Sequence, residues 1–156
     1  MTSPTPSAAN NAALLLDNQL CFALYSASLA MTKLYKPLLE NLGLTYPQYL
    51  VMLVLWEQDG LTVSALGERL SLDSGTLTPL LKRIEQCGLL ARKRSTDDER
   101  RVLVTLTPSG RKLKAKAAAV PACVVQSTGC PVPELVSLTR QVQNLRDRLT
   151  VSARTL

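Results

Sequence analysis

Between Thr62 and Leu106 the hydrophobic period of the chain switches from that of helices to that of strands, and nothing else in the sequence limits the fold so tightly. Val63, Leu66 and Leu70 stand at helical spacing in a short segment, Thr62 to Leu70. Ser71-Leu72-Asp73 is a polar break, and a second helix runs from about Ser74 to Gln86 and stops at Gly88. Short helix, tight turn and second helix are the helix-turn-helix outline. Leu89 to Arg94 and the β-branched run Val102-Leu103-Val104-Thr105-Leu106 then flank a charged tip, Ser95 to Arg101. That pattern reads as a two-stranded hairpin, or wing.

Helices are expected on both sides of this unit. Leu16, Leu20, Ala23, Leu24, Ala27, Met31, Leu34, Tyr35 and Leu38 step by threes and fours, which predicts one long amphipathic helix from Ala12 to about Leu42. Pro37 is placed to kink its last turns, and Gly43 ends it. Thr45 as cap and Pro47 in the first turn open a second helix reaching about Gln58, before the turn Asp59-Gly60. Thr107-Pro108 starts a fifth helix that stops before Pro121, and Cys123 to Pro133 reads as irregular. A last helix from about Glu134 carries the seam Leu135, Leu138, Val142, Leu145, Leu149. The expectation is a single domain, mainly α with a small β wing. Residues 61–107 form the winged helix-turn-helix, 12–42 and 108–150 form a homodimer interface, and 1–11 form a polar tail. The alternative is that the end helices only cover the core of one monomer.

Charge narrows the partner. The chain carries a net +6, yet Lys82 to Lys116 alone holds eleven Lys/Arg against four acids, leaving the remainder at −1. Basic character concentrated on the second helix of the motif and on the wing points to double-stranded DNA. There is no histidine, and the four cysteines form no Cys-x-x-Cys pair, so no metal or cofactor is expected. The polar, uncharged start, Met1 to Asn11, has no signal-peptide pattern, and no apolar run approaches the roughly 20 residues of a membrane span. The expected location is the cytoplasm, where thiols stay reduced.

An α-helix fits the major groove. Ser74, Thr76, Thr78, Lys82 and Arg83 are the expected exposed positions of the reading helix. Pro79, one turn in, offers its ring to a thymine methyl, while Lys82 and Arg83 meet the backbone. The wing presents Arg92, Lys93, Arg94, Arg100 and Arg101, suited to a narrow minor groove. Asp98 at the tip could hold Arg94 or Arg100 by a bidentate pair. Without the neighbouring motif, the same charges would read as a solvated loop.

At the wing, Asp98-Glu99-Arg100 followed by Val104-Thr105-Leu106-Thr107-x-x-Gly110 resembles the signature of the MarR family of winged-helix regulators, and Leu72 to Arg83 looks like that family's recognition helix. Asp17-Asn18-Gln19-Leu20-Cys21-Phe22-Ala23-Leu24-Tyr25, together with Leu44-Thr45-Tyr46-Pro47-Gln48-Tyr49, is similar to its organic-hydroperoxide-sensing (OhrR) branch. The resemblance implies a homodimeric repressor on a pseudo-palindromic operator, released when an organic hydroperoxide oxidises Cys21.

The residues bear on this directly. Tyr25 lies four positions after Cys21 and shares its face. Tyr35 lies 14 positions on, about 21 Å along an unbroken helix, so it reaches Cys21 only from a partner subunit. The resemblance implies the same, with two tyrosines of the other subunit, here Tyr35 and Tyr46, bonded to the reactive sulfur. Phenol donors and the positive end of the helix that Tyr46 opens would favour thiolate. Oxidation gives a sulfenic acid that condenses with a second thiol. Two-cysteine members of the branch keep a resolving cysteine near 123–130. Their usual position falls on Gln126, so Cys123 and Cys130 are both candidates, and Cys87 reads as structural. Against this stands Cys21 as a small buried hydrophobe. Two other functions compete: a MarR-type repressor released by a phenolic or drug-like ligand, and a thiol peroxidase. The peroxidase would lack an acid–base partner beyond tyrosine and would have no use for a basic wing, so no enzyme is expected.

Overall fold

The computed structural model describes residues 8–155. They fall into two compact units that divide between Arg111 and Lys112.

In the first unit, α1 (Ala8–Ala13) is followed by a short 3-10 turn, Leu16–Asn18, and α2 (Leu20–Glu40). The single long helix expected from Ala12 is thus broken. Gln19 is extended, and the side chains of Asn18 and Gln19 donate to the carbonyls of Ala12 and Ala13 at 2.7 and 2.6 Å. Polar side chains that bond nearby backbone compete with the helical ladder, and three in succession outweigh the apolar spacing around them. Residues 8–11 of the expected tail begin α1 instead, and residues 1–7 lie outside the described residues.

Helix α2 runs through Pro37 and closes at Gly43, whose φ of +67° lets its N–H reach Glu40 O while Leu44 N–H reaches Leu39 O. These two bonds satisfy carbonyls that the helix end would leave bare. Thr45 and Gln48 form a reciprocal capping box at the start of α3 (Tyr46–Glu57), as the sequence implies. Helix α3 is the centre of the unit: Gln48, Tyr49, Val51, Met52, Val54 and Leu55 are all buried.

A two-residue strand the sequence reading missed, β1 (Leu61–Thr62), precedes α4 (Val63–Leu70), whose cap Thr62 accepts from Ala65 N–H. Then come α5 (Ser74–Gln86), β2 (Leu90–Arg94) and β3 (Val102–Leu106). The wing is therefore a three-stranded antiparallel sheet in the order β1-β3-β2, with Leu61 opposite Val104 and Leu90 opposite Leu106. Two residues cannot display a period of two, which is why β1 is invisible to patterning. Leu66, Leu77, Leu81, Ile84, Leu90 and Val104 are essentially inaccessible, each side chain contributing about 1.5–3 kcal/mol through burial.

Asp59 and Gly110 lock the sheet to its surroundings. Asp59 Oδ1 accepts from the N–H of Gly60 and of Leu106, and Oδ2 pairs with Arg111 at 3.1 Å. Gly110 lies in α6 (Pro108–Ala117). Trp56 Nε1 donates to its carbonyl at 2.9 Å, and a Cβ at this position would stand 2.0 Å from Leu89 O. Only glycine fits there.

The second unit holds most of α6, then α7 (Val120–Thr128) and α8 (Val132–Ala153). The stretch expected to be irregular is mostly helical, because Pro121 sits in the first turn of α7, where proline is tolerated. Helix α8 starts two residues earlier than expected, also with a proline in its first turn. None of its residues is buried: Val132, Val136, Leu138, Val142, Leu149 and Val151 are exposed, and Leu135 and Leu145 half-buried. Among the described residues no helix is long and apolar enough to cross a membrane, and no cluster of His, Cys, Asp and Glu could hold a metal.

Candidate nucleic-acid interface and redox site

Helix α5 starts at Asp73, whose carboxylate accepts from Thr76 N–H at 2.7 Å. That bond, reinforced by the Thr76 hydroxyl, holds the Asp73 carboxyl below the usual range. Leu77, Leu81 and Ile84 face the core, leaving Ser74, Thr76, Thr78, Pro79, Lys82 and Arg83 outside or at the margin. Pro79 lies inside α5, beyond the first turn where it was expected. Its missing N–H withdraws a partner from the Gly75 carbonyl, and glycine there gives the ring room.

The wing differs from expectation in two contacts. Asp98 makes no ion pair. Its Oδ1 accepts from the backbone N–H of Arg100 at 3.0 Å, while Arg101 N–H donates to Asp98 O and Ser95 N–H to Arg101 O. Asp98 thus shapes the turn and leaves the guanidinium groups free to face outward. Arg92 is partnered: its Nε donates to Glu85 Oε2 at 2.8 Å, joining β2 to α5. Sequence spacing gives no hint of this pair, since it depends on how the hairpin folds back. Lys93, Arg94, Arg100 and Arg101 are exposed, and no ion pair engages Arg94, Arg100 or Arg101.

Cys21 stands in the first turn of α2 rather than mid-helix, a consequence of the break at Gln19. The opening turn of a helix has N–H groups without helical partners. In the single chain Cys21 is exposed, and Tyr25, one turn on, is 63% exposed; the buried-hydrophobe reading of Cys21 does not hold there. Helix α2 is continuous from Cys21 to Tyr35, so the separation inferred from the sequence stands.

Tyr35 and Tyr46 pack ring to ring with centroids 4.9 Å apart, and Tyr49 joins at 5.9 Å from Tyr35. Tyr49 was not among the expected pocket residues; only its place one turn after Tyr46 could have suggested it. Burial pushes the Tyr35 phenol up, helped by Tyr46 and Tyr49. Burial does the same to Tyr46 and, with Tyr46 adding, to Tyr49. All three therefore remain O–H donors at neutral pH. All four thiols are free. Cys123 is half-buried on α7, next to buried Val124. Cys130 follows the α7 cap Gly129, its N–H on Thr128 Oγ1. Cys87 caps the end of α5 and is exposed, which does not fit a packing role.

Residues 33–117 match the family model of SarA/Rot transcriptional regulators. The chain belongs to that family of winged-helix transcriptional regulators. It is 60% identical over 110 residues to the organic hydroperoxide resistance transcriptional regulator of Bacillus subtilis, covering 70% of this chain and 75% of that one. It is 50% identical over 138 residues to the HTH-type transcriptional regulator TtmR of Methylorubrum extorquens, covering 88% and 71%. Among solved structures, reduced AbfR bound to DNA superposes with a TM-score of 0.72 at 37% identity, covering 86% of this chain and 94% of that one. AbfR of Staphylococcus epidermidis gives 0.73 at 36% identity, covering 92% and 99%, and its disulfide form 0.60 at 35%, covering 92% and 96%. With its free thiols, the chain is closer in shape to reduced AbfR than to the disulfide form. Mainly helical architecture, a three-stranded wing and MarR-type neighbours agree with the fold expected from the sequence.

Proposed function

We propose that this regulator is a homodimeric repressor that senses organic hydroperoxides through Cys21 and releases a pseudo-palindromic operator in the cytoplasm. The observation that carries the reading is the pairing of an exposed cysteine in the first turn of α2 with two stacked phenols that the same unbroken helix holds out of its reach. A second copy running antiparallel brings Tyr35 and Tyr46 to Cys21. The apolar faces left uncovered on α2 and α8 supply the interface. The 60% identity to a hydroperoxide resistance regulator supports the same chemistry.

In this reading the Cys21 sulfur attacks the outer peroxide oxygen. The O–O bond breaks, the alkoxide leaves as alcohol after taking a proton, and the sulfur becomes sulfenic acid. The phenols donate hydrogen bonds at the sulfur and the departing oxygen, and Tyr25 lines the approach. The thiol of Cys123 or Cys130 then displaces water from the sulfenic acid to form a disulfide between subunits. DNA is contacted by Ser74, Thr76, Thr78, Pro79, Lys82 and Arg83 of α5 and by Lys93, Arg94, Arg100 and Arg101 of the wing, whose tip Asp98 shapes. A disulfide needs Cα atoms within about 7 Å. Forming it at a shared interface changes the spacing of the two recognition helices, and both half-sites lose register together.

The test is a gel shift on a duplex selected by the protein from a random library, with and without cumene hydroperoxide. The wild type should release DNA and run as a covalent dimer without reductant. Cys21→Ser should bind equally and ignore peroxide, and whichever of Cys123→Ser and Cys130→Ser abolishes the covalent dimer identifies the resolving thiol. Release of DNA by peroxide from Cys21→Ser would end this reading. A wild type indifferent to peroxide but released by a phenolic ligand would replace it with the ligand-controlled one.

A further inference from the structure

A groove of about 490 Å³ lies where the start of α4, the outer face of α5 and the wing meet. Ser64 lines it from the first turn of α4, Ser74 and Thr78 from α5, and Arg92, Arg100 and Arg101 from the wing. Its lining carries three guanidinium groups and several hydroxyls, and no carboxylate. At the start of α4 the cap Thr62 takes Ala65 N–H, which leaves the N–H groups of Val63 and Ser64 without helical partners. Concentrated positive charge, hydroxyl donors and free backbone donors in one concavity suit a phosphodiester.

Topology says which one. A recognition helix in the major groove and a wing in the adjacent minor groove are separated by one sugar–phosphate strand, and that strand must pass through the space between them. The groove is that space. We propose that it seats the DNA backbone strand between the two grooves, with Ser64 and Arg92 as phosphate contacts and Glu85 as the positioning residue for Arg92. Glu85 takes only Nε of the guanidinium, so the Nη groups stay available to phosphate. This assignment rests on the DNA-binding reading above and adds α4 to the contact surface, which otherwise consists of α5 and the wing.

Reduced protein is titrated with two fluorescent 30-base-pair duplexes, one selected from a random library and one of arbitrary sequence, across a salt series. Arg92→Ala should lower the slope of log affinity against log salt by about one on both duplexes, as expected for one lost phosphate contact. Ser64→Glu should weaken both by about tenfold or more, the loss expected of a hydrogen bond to a charged group. A glutamate there sits at a helix start and favours the helix, so the melting temperature should not fall. Glu85→Gln should weaken binding severalfold with the slope unchanged. Ser64→Glu binding like the wild type, or an unchanged slope for Arg92→Ala, would overturn the seat while leaving the repressor reading intact. Tighter binding by Glu85→Gln, the result of merely removing a negative charge, would overturn its positioning role. A wild type that binds neither duplex would overturn the repressor reading and the seat with it.

Discussion

Helices α5 and α8 are both amphipathic, yet one is finished within a single chain and the other is not. Helix α5 buries Leu77, Leu81 and Ile84 completely and has a capped start. Helix α8 is 22 residues long, buries nothing and leaves Leu138 54% and Leu149 57% exposed. The first half of α2 is similar, with Leu20, Phe22, Tyr25 and Leu29 uncovered. Contiguous apolar surface of this kind marks an interaction face. The difference divides labour: the winged region carries its own core and reads DNA, while the end helices hold information only in pairs. A sensor placed at the paired ends can move the reading heads without disturbing their packing.

Four measurements would break or sharpen that division. The largest effect should come from Leu138→Glu with Val142→Glu. Two interface anchors of about 2 kcal/mol each would raise the dimer dissociation constant roughly a thousandfold. Sedimentation at micromolar concentration should then show monomer, while the melting transition of the winged region persists. Loss of that transition would mean the two regions are not separable. Next is Gly110→Ala, which forces a methyl onto Leu89 O and should cost about 3 kcal/mol of stability by denaturant unfolding.

Thr45→Ala should cost about 1 kcal/mol, because it opens the capping box at the start of the central helix. The smallest effect concerns Asp73. Its carboxyl titrates below the ordinary range in the folded chain, so its help to α5 is complete above the unfolded carboxylate value and fades as pH falls through the folded one. Amide exchange at Thr76 should quicken only below about pH 4, and acceleration nearer neutrality would show that something else fixes the start of α5.

Much of the fold could be read in the sequence because it is written in short-range chemistry. Thr45, Pro47 and Gln48 announce α3, Asp73 announces α5, and the β-branched run announces β3. What escaped depends on competition or distance. The break before Leu20 arises because Asn18 and Gln19 reach back to α1, against an apolar period that continues straight through them. Helix α7 was hidden by Pro121, which reads equally well as a stop or a start. At the candidate site, the separation of Cys21 from Tyr35 needed only helix arithmetic, and the three-four step from Tyr46 to Tyr49 was visible in principle. The Glu85–Arg92 pair and the backbone role of Asp98 were not, since both follow from the path of the hairpin.

The wing tip has a consequence for how DNA is searched. Three hydrogen bonds within Ser95 to Arg101 fix its outline while the protein is still alone. Such a tip behaves as a calliper rather than as putty. It can test whether a minor groove has the right width, and it rejects one that does not by failing to enter. Sequence tracts that are never touched through their bases would then still be sorted by gauge. The sorting would be quick, because no loop has to be moulded and unmoulded at each wrong site along the way.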